Sequence, residues 1–254
     1  MKTGSTVTSP GQLRDALVEV DSGTIVLKPR VIFGAVERRL GRPVDMILPV
    51  PSSSIGSVTL LEAAIMTSLV KLMNPSRIFE FGTFMGYMTG IFSRNGDPGT
   101  KVFSLDLPRG GQRPPTEYDM SEVMSDFRAN DAYLTSVQAH EGHPYLGATG
   151  SESVVLLKQD SHFFDPAKFG LENSCGVVFV DGGHEEELAR IDTENAVKML
   201  ADRGCIAWHD VGSTLHTDVD SVIEDFASSR LVLLVESTML AIHFSGGAVD
   251  VLFD

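Results

Sequence analysis

The chain has 254 residues, a length suited to one large domain, and its 43% apolar and 21% charged residues allow a sizeable core. Thirty-four acidic against 20 basic residues leave a net charge of -14 with no dense Lys/Arg cluster, which argues against a nucleic-acid partner and against an anionic membrane surface. No stretch approaches the roughly 20 apolar residues of a membrane span, and Met1–Val20 lacks a signal-peptide pattern, so a cytoplasmic protein is expected. In chain order, residues 1–56 read as a Pro/Gly/Ser-punctuated cover segment with short helical stretches over 13–20 and 31–40, ahead of a core over 57–254. Val58–Met73 is apolar almost all round and stops at Asn74-Pro75, the pattern of a buried helix.

Apolar runs follow at 77–82, 101–106, 154–160, 176–181 and 204–210, and two more at 231–235 and 239–244 are joined by a tight turn. Such runs do not alternate, which marks strands covered on both faces and hence a parallel sheet. Met120, Val123, Met124 and Phe127 repeat at helical spacing, with Thr116-x-x-Asp119 as the expected cap, and Val219, Val222, Ile223 and Phe226 do so later. The expected fold is a single α/β domain: a Rossmann-like, seven-stranded, mostly parallel sheet, helices on both faces, and a C-terminal antiparallel hairpin at one edge. Residues 107–152 form a long excursion between the second and third runs. Together with residues 1–56 it is expected to cover the carboxyl edge of the sheet as a lid or binding loop. Cys175 and Cys205 begin core strands and read as buried, reduced thiols. Trp208 reads as packing, and His243 as structural.

Ligands of open parallel sheets bind beyond the carboxyl ends of the strands. Here those ends carry Glu80-x-Gly82, Asp106, Asp160, Asp181 and His209-Asp210. Carboxylates buried there are costly unless a ligand, a metal or hydrogen bonds satisfy them. The first turn, Glu80-Phe81-Gly82-Thr83-Phe84-Met85-Gly86, lacks the Gly-x-Gly-x-x-Gly spacing that admits a pyrophosphate. Its acid suits a cationic ligand, and Asp106 is placed to accept hydrogen bonds from both hydroxyls of a ribose. An amino-acid-bearing nucleoside without phosphates fits better than NAD.

With these motifs in order, residues 57–246 resemble a class I S-adenosylmethionine-dependent methyltransferase. Asp181-Gly182-Gly183-His184 and His209-Asp210 are similar to the motifs of a subgroup of small-molecule O-methyltransferases. The resemblance implies methyl transfer to a hydroxyl oxygen of a small metabolite, such as a natural-product sugar or phenol. It implies that Gly82, Thr83 and Gly86 line the methionine half of the cofactor, with Glu80 steering its ammonium end. Asp106 would hold the ribose, Asp160 and Ser161 the adenine edge, and Asp181 the junction between cofactor and substrate. Related enzymes have a hydroxyl residue where this chain has Met88, so Thr83 or Thr89 would supply it. His184 falls where they place a general base, and an imidazole suits that role near neutral pH. Three residues are one turn of the helix expected to start there, which would bring Asp181 and His184 to one face.

Asp181, His209 and Asp210 stand where metal-dependent relatives hold a divalent ion such as Mg²⁺ or Mn²⁺. The imidazole of His209 disfavours a conventional oxygen-only Mg²⁺ site, and is equally suited to a catalytic or substrate-orienting role. His140-x-x-His143 reads as incidental, with His143 facing substrate if its loop is a lid. The rival functions are a non-catalytic or divergent relative that binds S-adenosylmethionine and an NAD-dependent oxidoreductase on a similar sheet. A homodimer through residues 1–56 is compatible with the sequence, although no pattern specifies one.

Overall fold

Eight strands form one sheet in the computed structural model, which describes residues 6–51, 56–107, 119–147 and 151–253. The strands are β1 (Gly23–Leu27), β2 (Arg77–Phe81), β3 (Lys101–Asp106), β4 (Val154–Lys158), β5 (Cys175–Val180), β6 (Leu200–Trp208), β7 (Leu231–Val235) and β8 (Ala241–Phe244), in the order β1-β7-β8-β6-β5-β2-β3-β4. Neighbours pair in parallel except at β8, which runs antiparallel to both β6 and β7. The chain builds β2, β3 and β4 outward and then returns to lay β5 on the other side of β2. That reversal is the crevice where such sheets bind ligands.

The seven expected strands become eight, because Gly23–Leu27 pairs with all of β7. The C-terminal hairpin is therefore not at the edge. Leu27 and Ile25 are buried, and two helices flank β1, α1 (Pro10–Glu19) and α2 (Pro29–Leu40). Only part of the N-terminal segment approaches the expected carboxyl edge. There Tyr87 Oη, at the start of the helix Tyr87–Asn95, donates to the Pro49 carbonyl at 3.0 Å, whereas Ile47 N–H donates to Asn95 Oδ1 at the far end of that helix, at 2.9 Å.

Alternate residues of the central strands feed two cores, which is why the strands read as unbroken apolar runs. Ile78, Val177, Phe179, Cys205 and Ala207 face α2, α3 (Leu60–Met73) and α4 (Tyr87–Asn95). Phe79, Phe81, Val178, Ile206 and Trp208 face α7 (Glu186–Met199) and α8 (Thr217–Ala227). Thr59 and Glu62 close a reciprocal cap on α3, and Asn74 ends it in the left-handed region at φ 43° before Pro75. Both cysteines are free and buried, and burial pushes their thiols up to about 11 and about 12. Trp208 Nε1 donates to Thr193 Oγ1 inside the core. No helix of the described residues is long and apolar enough to cross a membrane.

The excursion departs from its expected single helix. It makes α5 (Met120–Val123) and α6 (Phe127–Glu141), because Asp126 accepts from Arg128 and Ala129 N–H and starts a second helix. Asp119 itself caps α5, while Thr116 lies outside the described residues.

Leu27 has no solvent exposure. Leu27→Ala is expected to cost about 2–5 kcal/mol in chemical denaturation. A cost under about 1 kcal/mol would show that β1 is not part of the cooperative unit.

Candidate active site

The carboxyl ends of β2, β3, β5 and β6 meet through lateral backbone bonds. Gly82 N–H donates to Leu105 O, Asp181 N–H to Phe81 O and His209 N–H to Val180 O. At Gly82, with φ 86°, a Cβ would stand 1.8 Å from the Asp181 carbonyl oxygen, so only glycine lets these two loops meet. Gly86 caps α4 at φ 78°, and a Cβ there would reach Leu146 Cγ at 2.8 Å. The turn is thus pressed from beneath by the β5 loop and from above by the excursion.

Glu80 departs from its expected place at a ligand's ammonium group. It is 1% exposed and accepts hydrogen bonds from Ser104 Oγ at 2.5 Å and from Thr89 Oγ1. Burial pushes its carboxyl up to about 8, so it is a neutral tie between β2, β3 and α4 near neutral pH. Thr83 and Thr89, expected to supply a hydroxyl in place of Met88, are both drawn into this buried network with Ser104.

Asp106 ends β3 as expected. Its Oδ1 accepts from Leu107 N–H, and its Oδ2 accepts from Lys158 Nζ at 3.0 Å and from Gln138 Nε2 of α6. Lys158 also lies 2.9 Å from Nε2 of His143, whose Nδ1 is 2.7 Å from the Phe84 carbonyl. His143 thus bridges the turn to the Asp106 side. Asp160 and Ser161 lie in the loop after β4, where Asp160 accepts from the His162 backbone N–H and sits 2.7 Å from its ring.

The chemistry-bearing end lies beyond β5 and β6. His209 Nδ1 is 3.2 Å from both Asp181 Oδ1 and Asp210 Oδ2, while its Nε2 is 3.4 Å from Glu62 Oε2 of α3. His184 lies between Asp131 Oδ1, 2.7 Å from its Nδ1, and the same Asp210 Oδ2, 3.1 Å from its Nε2. Its ring stacks on His216 with centroids 3.7 Å apart. Asp210 joins the two groups and sits in the left-handed region at φ 61°. α7 starts only at Glu186, so His184 lies in the loop before it and the expected one-turn alignment with Asp181 does not occur. Asp181 pairs with His209 instead, and Asp210 is the carboxylate on His184.

Burial alone would push the His184 imidazole down, but Asp131 and Asp210 hold it up at about 10. Burial opposes charge on His209 as well, yet Asp181 and Asp210 raise it well above its ordinary range. Burial likewise opposes ionisation of Glu62, but His209 and backbone donors hold it down at about 2. Sequence reading missed Glu62, Asp131, Gln138 and Lys158. Glu62 carried a visible signal as the acid of a capping box, whereas Asp131 and Gln138 are ordinary polar positions on an exposed-looking helix.

A family model described as a methyltransferase domain matches residues 79–211, more than half of the chain and the stretch that spans this site. The chain belongs to that methyltransferase family. No curated protein matches this methyltransferase. Among solved structures it is similar to a candidate O-methyltransferase from Klebsiella pneumoniae, with 15% identity, TM-score 0.51, and coverage of 94% of this chain and 96% of that one. It is similar to the S-adenosylhomocysteine-bound methyltransferase PaMTH1 of Podospora anserina, with 12% identity, TM-score 0.51, and coverage of 92% and 94%. The O-methyltransferase NovP also matches, with 12% identity, TM-score 0.53, and coverage of 72% and 78%. At these identities the likeness establishes the fold.

The donor set fits a divalent ion. Asp181, His209 and Asp210 bring one nitrogen and two carboxylates within 4.8 Å of one another. His209 turns Nδ1 toward both carboxylates, and Nε2 toward Glu62, the arrangement that orients a ligating imidazole.

Because the Glu80 carboxyl rises from its ordinary 4.5 to about 8 on folding, the folded state binds the extra proton between those values. Stability should therefore fall as pH rises through that window, by a few kcal/mol at most. Glu80→Gln keeps both accepted hydrogen bonds and should remove the fall. Thermal melts of the two proteins between about pH 5 and pH 8.5 check this; parallel curves would show an ordinary carboxyl.

Proposed function

We propose that this methyltransferase carries a methyl group from S-adenosylmethionine to a hydroxyl oxygen of a small metabolite, a sugar or phenol of a natural product. One observation carries the reading. The glycine turn with Asp106 and the histidine-carboxylate cluster lie at the carboxyl ends of adjacent parallel strands, so a nucleoside site and a proton-accepting site share one crevice. Solved relatives support it, since NovP is an O-methyltransferase and PaMTH1 was crystallised with S-adenosylhomocysteine.

When bound, S-adenosylmethionine supplies an electrophilic methyl group on its sulfonium. The Gly82–Gly86 turn and the N–H groups at the start of α4 hold the methionine half. Asp106 would hold the ribose hydroxyls, and Asp160 and Ser161 the adenine edge. Asp181 would orient the acceptor. With Asp210 turned away, His184 loses the partner that holds it charged, and its neutral form would accept the hydroxyl proton at Nε2 as the oxygen–carbon bond forms and the sulfur–carbon bond breaks, S-adenosylhomocysteine being the leaving group. Asp131 then matches the imidazolium that results, which is the state the apolar surroundings would otherwise oppose. Asp181, His209 and Asp210 are the residues that would hold Mg²⁺ or Mn²⁺, whose charge would acidify the acceptor hydroxyl and draw Asp210 away from His184.

Titration calorimetry should show S-adenosylhomocysteine binding and no NAD binding. A panel of phenols and nucleotide sugars, screened for S-adenosylhomocysteine release, should yield a hydroxyl acceptor. His184→Ala should lower turnover about 10²–10⁴-fold and leave S-adenosylhomocysteine affinity unchanged, while Asp106→Ala should abolish that affinity. NAD binding, or full turnover by the His184 variant, would overturn the reading.

A further inference from the structure

We infer that Asp131 is the positioning residue for His184, delivered to the site by helix α6 of the excursion. The inference rests on the reading of His184 as the base. His184 sits ahead of α7, so no helix backbone fixes its ring, and its orientation depends on what surrounds it. The His216 ring lies against one face, which leaves rotation within that plane open. Asp131 Oδ1, 2.7 Å from Nδ1, closes it. With Nδ1–H committed to Asp131, Nε2 is the nitrogen turned toward Asp210 and the crevice, and it is the one that gives up or takes a proton when Asp210 turns away.

The source of that carboxylate matters. Asp131 lies 53 residues before His184 and belongs to α6, which β5 and β6 do not carry. Gln138 is seven residues further along the same helix, two turns and about 10 Å on the same face, and it donates to Asp106. One rigid helix thus touches the nucleoside-binding acid at one end and the base at the other. Whatever reseats α6 at Asp106 also moves Asp131 relative to His184. The orientation of the His184 ring is therefore tied to the seat of α6 on Asp106. Asp131 remains 35% exposed, so an isosteric change should leave the fold intact.

The test uses the full chain, S-adenosylmethionine, and the hydroxyl acceptor found by the panel. Asp131→Asn should lower kcat about 10–10²-fold, with KM and S-adenosylhomocysteine affinity unchanged. It should also remove the downfield imidazole Nδ1–H proton resonance of His184. Asp131→Glu should restore part of the rate. In a His184→Ala background, Asp131→Asn should cause no further loss, since it acts through that ring. If His184→Ala is impaired while Asp131→Asn keeps full kcat, the positioning role falls and the base stands. An equal further loss in the double variant, or a loss confined to KM, would also overturn it. Full activity of His184→Ala would instead remove the base reading on which the inference rests.

Discussion

Two imidazoles share the Asp210 carboxylate, and the acceptor end of the site is arranged around that sharing. His184 and His209 approach the same oxygen at 3.1 and 3.2 Å, so neither ring can shift without leaving the other's partner unbalanced. Charges buried this deeply persist only when paired. Asp131 and Asp181 complete one imidazole each, and Glu62 stands behind His209. The backbone at Asp210 is held in the left-handed region to present the side chain to both rings. A non-glycine residue there is a cost that the surrounding ion pairs must offset.

Around this cluster the sheet brings together elements that are distant in the chain. Glu62 comes from α3, Asp131 from the excursion, and the other groups from the loops after β5 and β6. Deep burial of the Glu80 network does complementary work on the cofactor side. By tying β2, β3 and α4 from beneath, it keeps the Gly82–Gly86 turn rigid without placing a charge at its surface. The excursion presses on the same turn from above, where Tyr145 N–H bonds to the Met85 carbonyl and Arg94 Nη2 to the Tyr145 carbonyl. Support from below and cover from above preorganise the nucleoside site before any ligand arrives.

The parallel core and the acids at its strand ends were legible in the sequence because both rest on local signals. A strand covered on both faces must be apolar throughout, and 77–82, 101–106 and 176–181 could satisfy nothing else. The glycine of the first turn was legible as well, although its reason was not. It avoids the Asp181 carbonyl, a contact made only when β2 and β5 pair. The eighth strand escaped because Gly23–Leu27 sits among helices in a Pro/Gly/Ser-punctuated segment. Its strand character comes from the partner β7, some 200 residues away.

Residue types alone thus determined the fold class, the crevice and the acids and histidines available to it. Which of those groups meet was decided by tertiary structure. Glu80, expected as a charge steering a ligand's ammonium group, is a buried neutral tie, because burial sets a carboxyl's protonation and no sequence spacing reports burial. Asp181 and His184, three residues apart, took different partners because the helix began later than its pattern suggested. Asp131 and Glu62 entered the site from remote helices, since a hydrogen bond of about 3 Å depends on packing across elements, which periodicity within one element does not encode.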